Sequence, residues 1–229
     1  MKTIALLCWY DEPASWLAEL VASLGRCGVD HLVAADGAYF LYPGGRPRSA
    51  ADQHDAIVRT AAGCGMGLTL HFPQEPWPGN EVEKRSMLFA LGERVAEPDT
   101  DWYLAVDGDM VVTNGADLRR ALEDTEEDCA LLSLWEFDPV LGEEVECLVP
   151  LLYRAVLGLR AVDNHYTYRT PDGRFLRGHV DEVAVEPAAM LPQIRVEHRR
   201  CLRPPVRQNA RSEYMALSDA VGGERVYAA

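Results

Sequence analysis

Two carboxylates separated by one glycine, Asp107-Gly108-Asp109, follow a short apolar run from Trp102 to Val106. Carboxylates at i and i+2 can hold a hard divalent cation together with phosphate oxygens, because such cations take oxygen ligands. Gly108 lets the backbone turn there and come close to a ligand. The same residues also read as a strand that ends in an Asp-Gly turn, so their surroundings must decide. A second group of charges lies far downstream. Six arginines fall between Arg195 and Arg211 against one acid, Glu197, in a chain of formal net charge −14. That local reversal marks a place for an anion. The chain has only two lysines, Lys2 and Lys84, so Lys84, beside Arg85, stands out. His198 precedes the arginine-rich segment.

These residues need elements to position them. The run at 102–106 is apolar on both faces and reads as a buried central strand. In an open α/β sheet, ligands bind at the carboxyl ends of such strands. Upstream, 3–10 reads as another buried strand, broken by Asp11-Glu12-Pro13. Apolar residues at Trp16, Leu17, Leu20, Val21 and Leu24 predict a helix over 15–26. A strand at 30–35 follows, ending in Asp36-Gly37. This β-α-β start predicts a parallel, doubly wound sheet. A helix at 50–62 and a strand at 66–72 continue the alternation. Three prolines within 73–79 exclude regular structure there. Asn80 is the expected N-cap of a helix running to 96, with Glu83 as its capping-box partner. After 107–109, a short helix at 116–124 and a strand at 130–137 are expected, and regularity weakens beyond Asp138-Pro139. A strand at 193–198, a basic segment at 199–211 and a closing helix at 212–221 complete the plan.

Composition sets the outer bounds. At 229 residues, 48% of them hydrophobic, the chain is expected to form one domain with a sizeable core. Its negative charge argues against non-specific binding to nucleic acid or to an anionic membrane. No apolar run approaches the roughly 20 residues of a membrane span, and the N-terminus does not read as a signal peptide. The six cysteines are scattered without a C-x-x-C pair, so neither a zinc site nor a disulfide framework is expected. A reducing cytoplasm is the expected location.

With these features in order, the chain resembles the family 2-like glycosyltransferases of the GT-A fold, which carry a DxD motif and depend on a metal. Four features carry the likeness: Asp11-Glu12 after the first strand, Asp36-Gly37 after the second, Asn80, Lys84 and Arg85 on the helix before the central strand, and Asp107-Gly108-Asp109 itself. His198 after a late strand is a fifth. The resemblance implies a Rossmann-like, mostly parallel sheet flanked by helices, with an irregular acceptor-side C-terminal part. It implies a nucleotide-sugar-binding half over 1–113 and an acceptor-side half over 114–229. It implies transfer of a sugar from a nucleoside-diphosphate sugar, UDP- or GDP-linked, to an acceptor hydroxyl, with Mn²⁺ or Mg²⁺ acting on the leaving diphosphate. Asp109 and His198 would hold the metal, and Asp107 the metal or the ribose. Asp11 would line the nucleotide pocket and Asp36 would meet the base or ribose. Lys84, Arg85, Arg199, Arg203 and Arg207 would contact the diphosphate. Asp163 and His165 would belong to the acceptor pocket.

An inverting enzyme also needs a base for the acceptor hydroxyl. The candidates are Glu136, Asp138 and His165, then Asp163 and the Asp181-Glu182 pair; a retaining enzyme needs none. Two other readings compete. Haloacid-dehalogenase-like phosphatases use a strand followed by DxD with an Asp nucleophile, but there the motif usually closes the first strand. A non-catalytic GT-A-like domain could bind a sugar or serve a structural role.

Overall fold

The computed structural model describes residues 1–78, 81–162, 167–176 and 188–222. Asn80, Asp163, His165, Asp181 and Glu182 therefore lie outside the described residues. Strands β1 (Thr3–Cys8), β2 (His31–Ala35) and β3 (Gly67–His71) alternate with helices α1 (Ala14–Arg26) and α2 (Ala51–Gly63). Helix α3 (Glu81–Gly92) then leads to the central strand β4 (Trp102–Asp107). Next come β5 (Met110–Asn114), α4 (Leu118–Glu123) and a long hairpin of β6 (Cys129–Asp138) and β7 (Glu143–Arg154). The short strands β8 (Arg160–Ala161), β9 (Tyr168–Arg169) and β10 (Phe175–Leu176) form a separate three-stranded sheet. Strand β11 (Ala189–His198), a 3₁₀ turn at Arg200–Leu202 and helix α5 (Pro205–Gly222) end the described chain. Among the described residues no helix is long and apolar enough to cross a membrane, and the six cysteines are free.

The main sheet has eight strands in the order β3-β2-β1-β4-β7-β6-β11-β5. The pairs β1–β2, β2–β3, β1–β4 and β6–β11 are parallel; β4–β7, β6–β7 and β5–β11 are antiparallel. This is the helix-flanked, mostly parallel α/β sheet expected from the sequence, with an antiparallel insertion. Alternate side chains of β1 serve two cores. Ala5 and Leu7 face α1, α2 and α4, where Leu17, Leu20, Val21 and Leu24 are wholly buried. Ile4 and Leu6 face α3 and the small sheet, packed with Leu88, Phe89, Tyr153 and Tyr168. Each fully buried Leu stabilises the fold by about 1.5–3 kcal/mol.

Two features of this sheet matter for function. Counting outward from β1, the chain winds one way to β2 and β3 and the other way to β4. The crevice between the carboxyl ends of β1 and β4 is thus a topological switch point, the usual ligand site of such sheets. Cys8 pairs with Asp107 there. Second, only two residues join β4, in mid-sheet, to β5, the outermost strand. So short a link spans only a few ångströms, so the sheet must curl to bring its far edge back beside the end of β4.

The sequence reading departs from this structure in three places. It expects regularity to weaken beyond Asp138-Pro139, where β7 instead returns along β6. The turn between them is built from Asp138, whose Oδ1 accepts from Val140 N and Leu141 N, and Gly142 at φ +73°. The outer half of β7 is acidic and largely exposed, which hides the alternation of a buried strand. It assigns no element to 110–114, where β5 forms. It starts the last helix at 212, whereas α5 starts at Pro205, proline being well suited to a first helical turn.

Candidate functional site

Beyond Cys8 the chain turns sharply. Asp11 sits at φ 52°, a left-handed conformation that Asp tolerates better than most residues. Its amide donates to Ser49 Oγ at 2.8 Å. The turn carries Glu12, 2% exposed, back over Gly108. A Cβ at Gly108 would lie 2.8 Å from Glu12 Cγ and 2.9 Å from Trp9 Cβ, so only glycine fits between the two loops. Gly108 N donates to Cys8 O at 3.0 Å, closing the crevice floor.

The two carboxylates of the motif face different partners. Asp107 accepts from Arg85 Nη2 at both oxygens, at 2.8 and 3.0 Å, and Arg85 also donates to Glu81. Asp109 is 2% exposed. Its Oδ2 lies 3.2 Å from His198 Nε2 and 3.1 Å from Arg203 Nη2, yet has no hydrogen bond of good geometry. Burial opposes the ionisation of Asp109, but the His198 contact and the charge of Arg203 outweigh it and hold the carboxyl well below the usual range. Burial likewise works against charge on His198, and Asp109 outweighs it, raising the imidazole above its ordinary value.

Strand register makes this meeting possible. His198 pairs with Met110 of β5 on one side and with Glu136 of β6 on the other. Arg199 N donates to Asp109 O at 2.8 Å. On the far side of the imidazole, Nδ1 lies 2.9 Å from Glu136 Oε2, and Arg200 Nη2 donates to Glu136 Oε1 at 2.9 Å.

Helix α5 and the turn before it close the cleft from above. Arg203 and Arg207 both pair with Glu12, Arg207 at 3.0 Å, and Arg207 also reaches Tyr10 O and stands 3.6 Å from Asp11. Arg207 Nε and Nη1 are buried without hydrogen-bond partners. Its guanidinium lies over the rings of Tyr10 and Tyr42, at 5.4 and 5.7 Å, and Tyr214 stacks on Tyr39 at 5.3 Å. One pocket joins Glu12, Asp107, Asp109, Arg203, Arg207 and Arg211 with this aromatic wall.

The nominated residues divide accordingly. Arg203 and Arg207 gather with Asp107 and Asp109, and His198 touches Asp109 from behind; Asp11 stands 3.6 Å from Arg207 and does not line the pocket. Lys84 borders the pocket, but its ammonium, 1% exposed, donates to Trp9 O at 2.6 Å and Gly37 O at 2.8 Å, tying the loops after β1 and β2 together. Asp36 is fully buried and accepts from Gly37 N, Ser49 N, Ser49 Oγ and His54 Nε2, all within 2.7 Å. It clasps the loop leading into α2. Arg199 grips Glu19 of α1 at 2.6 and 2.9 Å and does not line the pocket. Asp138 is spent on the β6–β7 turn. Glu12, Arg211 and Tyr214 are pocket residues to which sequence reasoning assigned no individual role. For the last two the signal is helical: positions 207, 211 and 214 share one face once α5 is known to start at Pro205.

Asp109 and His198 suit a divalent cation in type, a carboxylate beside an imidazole, and the buried Asp109 Oδ2 still lacks a hydrogen bond. Among the described residues no three carboxylate, imidazole or thiol groups converge as a ready cage. Such a cation would draw most of its ligands from water and from a bound anion, as Mg²⁺ commonly does.

What fold and site together define is a mixed α/β domain with an acid- and arginine-lined pocket at the switch point of its sheet. No protein-family model matches the chain, and no curated protein matches it. Among solved structures it is similar to S. aureus TarS, at TM-score 0.48 and 17% identity over 68% of this chain and 28% of that one. The 1–349 form of S. aureus TarS gives TM-score 0.47 and 17% identity over 68% of this chain and 47% of that one. The chain thus spans less than half the length of either.

Proposed function

We propose that this chain is a glycosyltransferase that moves a sugar from a nucleoside-diphosphate sugar to an acceptor hydroxyl with the help of Mn²⁺ or Mg²⁺. One observation carries the reading. A single pocket at the switch point holds a buried carboxylate oxygen without a hydrogen bond, on Asp109, and buried guanidinium nitrogens without hydrogen-bond partners, on Arg207. A buried acceptor and buried donors left unsatisfied together each carry a desolvation cost. A cation bound to a diphosphate satisfies both at once.

In this reading Asp109 and His198 hold the cation, and Asp107, oriented by Arg85, faces the cation or the ribose. When bound, the cation supplies Lewis acidity to the leaving diphosphate. Arg203, Arg207 and Arg211 add positive charge where negative charge develops, which lowers the barrier to breaking the anomeric bond. Tyr10, Tyr39, Tyr42 and Tyr214 offer flat faces to the nucleoside. Lys84 and Asp36 act indirectly, by fixing the loops that shape the cleft. Among the described residues Glu136 is the base candidate nearest this centre, and its two oxygens are engaged by His198 and Arg200.

The phosphatase alternative needs a free carboxylate nucleophile on the motif, and Asp107 instead has both oxygens on Arg85. The deciding experiment is thermal unfolding with UDP-, GDP- and dTDP-sugars, with and without Mn²⁺, followed by assay of donor turnover. A ligand at 100 times its Kd raises apparent stability by about 2.7 kcal/mol. A Mn²⁺-dependent shift with one nucleotide, and donor turnover lost in Asp109→Ala, supports the reading; full metal-dependent turnover by Asp109→Ala sinks it.

A further inference from the structure

The geometry points to Glu136 as the residue that orients His198 toward the cation, rather than as the base of the reaction. This inference rests on the cation reading above. Glu136, His198 and Asp109 form a line. The imidazole is gripped at Nδ1 by Glu136 Oε2, at 2.9 Å, and presents Nε2 to Asp109 Oδ2 at 3.2 Å. The two ring nitrogens are distinct, and the hydrogen bond made by one decides what the other can do. With Nδ1–H donated to a carboxylate, Nε2 is the nitrogen left for a metal, aimed at the atom of Asp109 that has no hydrogen bond.

Three observations favour positioning over catalysis. Glu136 does not line the pocket, and His198, itself behind the lining, stands between it and Asp109. Its second oxygen is held by Arg200 at 2.9 Å, so both ends of the carboxylate are fixed. The strand register β6–β11 sets Glu136 and His198 directly opposite each other, so the contact is built into the sheet rather than into a loop. The side chain that holds a metal-binding histidine by its other nitrogen commonly contributes roughly 10–100-fold to metal affinity.

The experiment is Mn²⁺ binding to the whole chain, with Mn²⁺ alone, read by the loss of the free-ion electron paramagnetic resonance signal. It compares wild type, Glu136→Ala, Glu136→Gln, His198→Ala and the Glu136→Ala/His198→Ala pair. Each variant is first checked for wild-type far-ultraviolet circular dichroism and cooperative unfolding. Glu136→Ala is expected to bind Mn²⁺ roughly 10–100-fold more weakly. Glu136→Gln, whose amide oxygen still accepts from Nδ1–H, is expected to recover most of the loss. In the His198→Ala background Glu136→Ala is expected to change nothing further, since the two residues act through one contact. Unchanged affinity in Glu136→Ala, or an equal loss with and without His198, overturns the inference while leaving the cation reading standing. Absence of Mn²⁺ binding by wild type, both alone and with UDP or GDP added, overturns both.

Discussion

Arg85 Nη2 meets both carboxylate oxygens of Asp107, at 2.8 and 3.0 Å, and the same guanidinium reaches Glu81 at 3.2 Å. The side chain of Arg85 is 4% exposed, so the pair is largely removed from water. Removing one member of such a pair leaves a charge without its partner. Arg85→Met is expected to lower the unfolding free energy by on the order of 3 kcal/mol, measured by urea denaturation. Arg85→Lys is expected to recover only part, because an ammonium cannot reproduce the planar fork.

Lys84 joins two loops through backbone carbonyls, Trp9 O and Gly37 O. Lys84→Met preserves the length of the stem and removes both donors. It is expected to cost about 1–3 kcal/mol for each buried acceptor left unsatisfied. Nucleotide affinity should fall with stability, because Trp9 leads into the turn that carries Glu12. Unchanged denaturation midpoints would show that the ammonium is not what holds these loops together.

Gly108→Ala places a methyl group 2.8 Å from Glu12 and 2.9 Å from Trp9. Glu12 cannot retreat without disturbing its salt bridges to Arg203 and Arg207. Overpacking of this kind costs roughly 1–3 kcal/mol. The expected result is a lower melting temperature together with weaker nucleotide binding, measured by calorimetry.

Asp109→Asn keeps the shape of the side chain and removes its charge from between His198 and Arg203. Donor turnover is expected to drop at least ~100-fold, the scale on which a preorganised electrostatic group acts. Added Mn²⁺ should not restore it. Turnover assays across a Mn²⁺ series test this directly.

The pH dependence of stability has a readable contribution away from the cleft. Burial, and then the charge of Lys2, hold the His31 imidazole below its ordinary value, and burial does the same to His71. A lowered folded value means that the unfolded chain binds more protons. Stability therefore declines as pH falls through the unfolded His value of about 6.5. Replacing His31 by Gln is expected to flatten the decline between about pH 7 and 5, seen in urea midpoints measured across that range.

Much of the fold is legible in the residues. The strands at 3–10, 30–35, 66–72 and 102–106 are short, apolar and punctuated by Asp, Gly or Pro, and the helix at 15–26 carries a clear stripe. The antiparallel half is harder to read. β7 begins as an acidic, exposed strand, and its pairing with β6 depends on the turn at Asp138 to Gly142 rather than on hydrophobic alternation. The start of α5 is hidden by Pro204-Pro205, which reads as a break although the second proline opens the helix.

Asp107-Gly108-Asp109 could be placed from sequence because its neighbours along the chain dictate a buried strand and a turn. The arginine-rich segment stands out as a candidate anion site because its charge runs against that of the whole chain. What those residues meet was decided by tertiary structure. The sequence puts Glu12, Glu136 and His198 far from the motif. Curling of the sheet, the β5–β11–β6 register and the left-handed turn at Asp11 bring them to it. Asp36 and Lys84 look like ligand contacts in the sequence, yet the folded chain surrounds them with its own donors and acceptors. The physical reason is range: a local pattern fixes which way a side chain points from its own strand, whereas the partner of a buried charge is set by contacts between strands distant in the chain.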